Sequence, residues 1–228
     1  MAESSIWVVV PAYNEEKVIG GVLKELVDCN PAFNVVVVDD GSKDGTAAEA
    51  ARLRQVHLLH HPVNLGQGAA LATGFEYALG QGAGIVITFD ADGQMNPSDI
   101  NKMVAKIKEG FDVVLGSRFL NVQPVGMPAL RKFLLRLAVI FTRVTGRLKV
   151  TDMHNGLRAF RADALRKIVI TQNQMAHASE ILSEISRNRL KYCEVPVGIR
   201  YTDYSKAKGQ SIFNSINIMY ELLTGAKK

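Results

Sequence analysis

Cysteine is almost missing: Cys29 and Cys193 are the whole complement. They lie far apart in no C-x-x-C pair, which argues against a zinc site and a disulfide scaffold and fits a reducing compartment. No apolar run approaches the roughly 18 residues of a spanning helix. The N-terminal Met-Ala-Glu-Ser-Ser carries an acid and runs into a short apolar stretch, so no signal peptide is expected. A glycine-rich dinucleotide fingerprint is absent after the first strand, where Val10-Pro-Ala-Tyr-Asn-Glu-Glu16 stands instead, and this disfavours an NAD or FAD enzyme. Asn64-Leu-Gly-Gln-Gly68 lacks the Lys-Ser/Thr of a phosphate loop, and Leu71 takes the third glycine position of a fingerprint; it reads as a tight turn with close helix packing. No Ser-His-Asp pattern is legible. His60 and His61 are adjacent on a strand end, so they point apart and are poorly placed to share a metal; His154 and His177 stand alone.

What is present is ordinary globular composition: 228 residues, 47% hydrophobic and 21% charged. The net charge of +5 suits an anionic partner. Nucleic acid is disfavoured, because the basic stretch lacks interleaved aromatics and carries no known motif. Short β-branched runs at Ile6–Val10, Val35–Val38, Val56–Leu59, Ile85–Phe89 and Val113–Leu115 alternate with helical spacing over Lys17–Asp28, Thr46–Leu53, Gly68–Leu79 and Pro97–Glu109. Near-continuous apolar strands separated by helices predict an α/β fold, a mainly parallel sheet covered on both faces. Ligands then sit beyond the carboxyl ends of the strands.

The second half differs. From Val113 to Thr151 there is no Asp or Glu, but seven Lys or Arg. Ala129–Val144 reads as a helix whose Lys132, Arg136, Arg143 and Arg147 side spans an arc of about 60°. Leu157–Phe160 and Cys193–Ile199 read as strands with a helix around Ser179–Asn188 between them, and a second amphipathic helix covers Ile212–Leu223. One domain over residues 1–228 is expected, in two halves, 1–118 and 119–228.

Three strand tips carry acids. In Asp90-Ala-Asp-Gly-Gln94 an extended segment would aim alternate residues the same way, so Asp90, Asp92 and Gln94 converge on one point. Oxygen donors suit a hard divalent cation that also holds substrate phosphates; the plainer alternative is a solvated Asp-Gly turn. In Asp39-Asp-Gly-Ser42, Asp39 or Asp40 could accept hydrogen bonds from a base or ribose, while Ser42 or Asp44 caps the next helix. At the first tip, Tyr13 offers a ring for a base and Glu15 an acceptor; alternatively Asn14 caps a helix and the glutamates offset its dipole.

Together, Pro11-Ala-Tyr-Asn-Glu15, Val38-Asp-Asp-Gly-Ser42, Asn64-Leu-Gly-Gln-Gly68, Asp90-Ala-Asp-Gly-Gln94 and Gly116-Ser-Arg118 resemble the family 2 glycosyltransferases of the GT-A fold. More narrowly, they resemble the polyprenyl-phosphate glycosyltransferases, the group of dolichol-phosphate mannose synthase. The resemblance covers nearly the whole chain. It implies that Pro11, Tyr13, Glu15 and Asp40 hold the nucleotide, and that Asp90, Asp92 and Gln94 hold Mg²⁺ or Mn²⁺ on the diphosphate, with Ala91 lining the site. It implies further that Arg118 and Arg131 meet the acceptor phosphate, that Arg200 and Lys206 close over the donor diphosphate from a lid at Tyr201–Gln210, and that Asp152 lies near the sugar. Asp92, Arg118 and Asp152 are the implied catalytic residues.

The implied reaction is metal-dependent, inverting transfer of a hexose from a nucleotide sugar of the GDP-mannose or UDP-glucose type to polyprenyl phosphate, a step of cell-wall or glycan biosynthesis. Many relatives continue into transmembrane helices after the segment matching Ile212–Leu223, whereas this chain stops; the Met153-His154-Asn155 segment is atypical. The partners expected are the donor, the lipid acceptor and an anionic membrane surface met by the basic amphipathic helix, with room for a separate membrane-anchored subunit. Cytoplasmic, peripheral attachment follows. A family 2 enzyme acting on a glycan hydroxyl is the rival reading and would need Asp152 or Glu180 as general base; a non-catalytic nucleotide-sugar-binding module is the other.

Overall fold

A computed structural model describes residues 5–120 and 148–200. Seven strands form one sheet in the order β3-β2-β1-β4-β6-β5-β7: β1 (Ile6–Ala12), β2 (Phe33–Asp39), β3 (Val56–His60), β4 (Ile85–Thr88), β5 (Val113–Ser117), β6 (Arg158–Arg161) and β7 (Tyr192–Pro196). All pairings are parallel except those of β6, which runs antiparallel between β4 and β5. Six helices accompany them among the described residues: α1 (Ile19–Cys29), α2 (Thr46–Ala51), α3 (Gln67–Gly80), α4 (Asp99–Lys108), α5 (Ala162–Leu165) and α6 (His177–Arg187). Every strand and helix expected within these residues is present; the four-residue α5 is additional.

The strands are buried on both faces, as their unbroken apolar runs require. In β1, Val8 and Val10 join the cluster under α1 and α4 with Leu23, Leu26, Ile100 and Met103. Trp7 and Val9 join the opposite cluster under α3 and α6 with Leu71, Phe75, Ile181 and Ile185. At Gly74, α3 presses on the sheet so closely that a Cβ would overlap the Val9 side chain. Such burial is worth about 1.5–3 kcal/mol for each large side chain.

The topology decides where the chemistry gathers. Parallel β1 to β5 end at one edge of the sheet. Antiparallel β6 begins there, with Arg158 paired to Thr88 and to Leu115. The segment before β6, containing Asp152–Gly156, is thereby brought to the tips of β4 and β5. Pro11 stands where pairing of β1 with β4, which ends at Val9↔Thr88, has stopped; a residue without N–H is tolerated there.

Candidate active site

The tips of β1, β2 and β3 enclose a cleft of about 360 Å³ lined by Tyr13, Gly41, Ser42, Lys43, His60, Pro62, Val63 and Asn64. Asn14, at φ 54°, is not a helix cap: α1 starts after Val18. Its backbone N–H instead donates to Ser42 Oγ and its Oδ1 accepts from the Lys43 N–H, both at 2.9 Å. Glu15 N–H donates to Thr46 Oγ1 at 2.7 Å. Asp44 stands one residue before Gly45, the N-cap of α2, and its Oδ1 accepts from the Thr46 N–H at 3.0 Å. Gly41 has φ +70°, and a Cβ there would run into the Val63 backbone, so only glycine lets the two tips pass this closely.

Asp39 and Asp40 are buried, at 0% and 2% exposure. Asp39 Oδ1 accepts from the Ser42 N–H at 3.2 Å, and Oδ2 meets His60 Nδ1 at 2.8 Å. Asp40 Oδ1 meets His61 Nδ1 at 2.7 Å and accepts from Leu65 N–H at 3.0 Å, while Oδ2 accepts from Gly66 N–H at 2.7 Å. The far side of the His61 ring meets Thr73 Oγ1 at 3.0 Å. Asp40, expected to face the nucleotide, thus anchors the Asn64–Gly68 turn from beneath. That turn docks on the segment that precedes α6 through Gly68 N–H to Asn173 O at 2.7 Å.

The Asp90–Gln94 segment is a turn, with Gly93 at φ +75°. Alternation along an extended strand is therefore the wrong reason for the proximity of its acids; the turn folds Asp92 back towards Asp90. Gln94 joins through its backbone, its N–H donating to Asp92 Oδ1 at 3.0 Å. Burial and the neighbouring Asp92 push the Asp90 carboxyl up to about 7, against the pull of Arg158 and Arg118 and the Gln67 hydrogen bond. Gln67 Nε2 holds Asp90 Oδ1 at 3.1 Å. At Gly156 a Cβ would overlap the Asp90 carboxylate. Among the described residues no three His, Cys, Asp or Glu side chains gather as a metal cluster. Two crowded carboxylates, one of them costly to ionise, fit Mg²⁺ or Mn²⁺: these ions take one or two protein carboxylates and fill the remaining positions with phosphate oxygens and water.

On the other side stands Arg118. Its Nε and Nη2 donate to Asp152 Oδ2 and Oδ1 at 2.6 and 2.7 Å, and its backbone N–H adds a third bond to Oδ2 at 3.1 Å. Burial raises the Asp152 carboxyl, but the hydrogen bonds and charge of Arg118 outweigh it and hold the group below the usual carboxylate range. Glu194 in β7 fixes this loop: its Oε1 accepts from Thr151 N–H, Thr151 Oγ1 and Asp152 N–H at 2.7, 2.9 and 3.2 Å. Buried Arg158 donates to the carbonyls of Met153, Asn155 and Ala178. Burial lowers its guanidinium to about 10 despite Asp90 and Asp152, so it stays charged at neutral pH beneath the site. Sequence reasoning missed Gln67, Glu194, Arg158 and the two histidine pairs.

Arg200 and Glu180 are each held by partners of their own. Arg200 pairs with Glu25 of α1 (Nη2 to Oε2, 2.9 Å), while its backbone N–H donates to Gln94 O at 2.8 Å. Glu180 holds the Thr171 and Gln172 N–H groups at 2.9 Å. Arg131, Lys206, the lid at 201–210 and the helices expected over 129–144 and 212–223 lie outside the described residues. No helix among the described residues is long and apolar enough to cross a membrane.

The profile of Glycosyl transferase family 2 matches residues 7–169. The UDP-N-acetylglucosamine–dolichyl-phosphate N-acetylglucosaminyltransferase of Methanococcus voltae is 36% identical, over 98% of this chain and 96% of its own length. The polyprenol monophosphomannose synthase of Mycolicibacterium smegmatis is 29% identical, over 90% of this chain and 82% of its own. Glucosyl-3-phosphoglycerate synthase from Mycobacterium tuberculosis, crystallised with Mn²⁺, UDP and glucosyl-3-phosphoglycerate, superposes with a TM-score of 0.71 at 20% identity, covering 100% of this chain and 82% of that one; that likeness is one of fold.

Proposed function

The chain belongs to glycosyl transferase family 2, and from that premise we propose that it transfers a hexose from a nucleotide sugar to a polyprenyl phosphate, inverting the anomeric carbon. The relatives' names supply the acceptor class. The observation that carries the reading is the state of Asp152. A hydroxyl acceptor needs a general base whose pKa lies near the working pH. Asp152 is held low and clasped by Arg118, and Glu180 is spent on the 171–172 backbone. A phosphate acceptor needs no base. Its second pKa is about 6, so it is largely dianionic at neutral pH.

In this reading the base and ribose occupy the cleft beside Tyr13, and the diphosphate lies towards Asp90. Asp152 fixes the plane of Arg118, and Arg118 with buried Arg158 supplies the positive potential that draws in and orients the acceptor phosphate for attack on the anomeric carbon. Asp90 and Asp92, with Gln94 beside them, would hold Mg²⁺ or Mn²⁺, which would supply neutralisation of the charge that develops on the departing diphosphate. Arg200 reaches the donor only by leaving Glu25, a pair exposed enough to exchange readily. Attachment to an anionic membrane surface through the basic 129–144 segment belongs to the same proposal.

The test is incubation of the full chain with Mg²⁺ or Mn²⁺, a panel of nucleotide sugars and a short polyprenyl phosphate, with the products read by mass spectrometry. A glycosyl phospholipid from at least one donor, lost in EDTA, is expected. Sugar transfer to glycan hydroxyls with none to the lipid phosphate would overturn the reading.

A further inference from the structure

Two adjacent histidines at the end of β3 lie beside two adjacent aspartates at the end of β2. The strands are parallel with Asp39 level with His60. Each histidine therefore finds its own carboxylate, His60 with Asp39 and His61 with Asp40. The two pairs differ in what lies beyond the ring. His61 is buried and its second nitrogen meets Thr73. The His60 side chain is 55% exposed and lines the cleft, with Asp39 as its sole hydrogen-bond partner among the described residues.

A carboxylate only accepts hydrogen bonds, so Nδ1 of neutral His60 must carry the proton and Nε2 must be a lone-pair acceptor. Asp39 is fully buried and its other oxygen is taken by Ser42, so it acts through the ring and not directly on anything in the cleft. Elsewhere on the wall, Lys43 offers donors only, and Ser42 Oγ already accepts from Asn14. His60 Nε2 thus presents to the cleft an acceptor whose tautomer is fixed from behind, beside Tyr13 and Asn64, whose polar groups can either donate or accept.

We propose that His60 reads the base of the donor: its Nε2 accepts the ring N–H of uracil (N3) or guanine (N1) and thereby selects against cytosine and adenine, which carry a lone pair at that edge. The inference rests on the nucleotide occupying this cleft, as in the proposed function, and adds the residue and the chemistry that discriminate among nucleotides. A cytosine or adenine here sets lone pair against lone pair, and two acceptors without a hydrogen between them leave both unsatisfied.

Calorimetric binding of UDP, GDP, CDP and ADP, each with Mg²⁺, to the full chain tests this. UDP and CDP are the decisive pair, because they differ only at the edge in question and any general loss of folding weakens both alike. Wild-type protein should bind UDP or GDP at least about tenfold more tightly than CDP and ADP. His60→Ala should bring UDP and CDP to within about twofold of each other. His60→Lys, which can only donate, should turn the preference towards CDP. The exposure of the side chain makes both variants compatible with folding, which circular dichroism verifies. Equal binding of UDP and CDP by the wild type, or an unchanged ratio in His60→Ala, overturns the role of His60 and leaves the cleft a nucleotide site. Failure of all four nucleotides to bind overturns the cleft assignment itself and His60's role with it.

Discussion

Asp90 shows what the site costs the fold. An unfolded carboxyl ionises near 3.8, whereas this one ionises near 7 because burial and Asp92 oppose its charge. Between those values the folded state binds more protons than the unfolded one, so the metal-free protein loses stability as pH rises through this window. Asp90→Asn should therefore raise the melting temperature of metal-free protein at pH 8 by at least about 3 °C, as a change of the order of 1 kcal/mol does in a protein this size. It should do little at pH 4 and abolish metal-dependent turnover. A variant that melts earlier than wild type at pH 8 would show that ionised Asp90 is a net stabiliser, paid back by Arg158. The residues that make this site were only partly legible. Asp90 and Asp92 stood out as acids at a strand tip, while the pairing of Asp39 and Asp40 with His60 and His61 depends on the register of β2 against β3. Adjacent histidines on a strand do point apart; each points at its own aspartate, and nothing in the local sequence shows that.

At the level of elements, the strands and longer helices were legible because their apolar periods are long and cleanly bounded. The direction of β6 was not: a short apolar run reads the same in either sense, and only its insertion between β4 and β5 brings Asp152–Gly156 to the strand tips. The four-residue α5 is too short for any period. Helix α3 carries a further consequence of close packing. Gly74 faces Val9 with no space for a Cβ, whereas Gly80, at the end of the same helix, has nothing within 4 Å. Gly74→Ala should destabilise by about 1–3 kcal/mol, the usual range for overpacking. Gly80→Ala should be neutral or stabilise by up to about 1 kcal/mol through the unfolded chain. Denaturant unfolding of the pair measures both, and equal stabilities would mean that α3 can lift from the sheet without cost.

Across the whole molecule, the fold brings two kinds of chemistry to one edge of a sheet. On one side are the cleft beside Tyr13 and the Asp90–Asp92 turn; on the other, the Arg118–Asp152 pair braced by Glu194 and Arg158. The first side was legible in its motifs. The meaning of the second was not, because Asp152 as a base and Asp152 as the clasp of an arginine leave the same letter in the sequence. The central claim is that the acceptor arrives already ionised and that Asp152 serves Arg118. Its most direct test is the ratio of kcat/KM for a matched lipid phosphate and lipid alcohol of the same chain length, measured for wild type and for Arg118→Gln. The wild type should favour the phosphate by at least about a thousandfold, the scale on which a site built for a polar group rejects its absence, and Arg118→Gln should lower the phosphate rate far more than the alcohol rate. Comparable rates on the two acceptors, or a phosphate rate unmoved by Arg118→Gln, would contradict it.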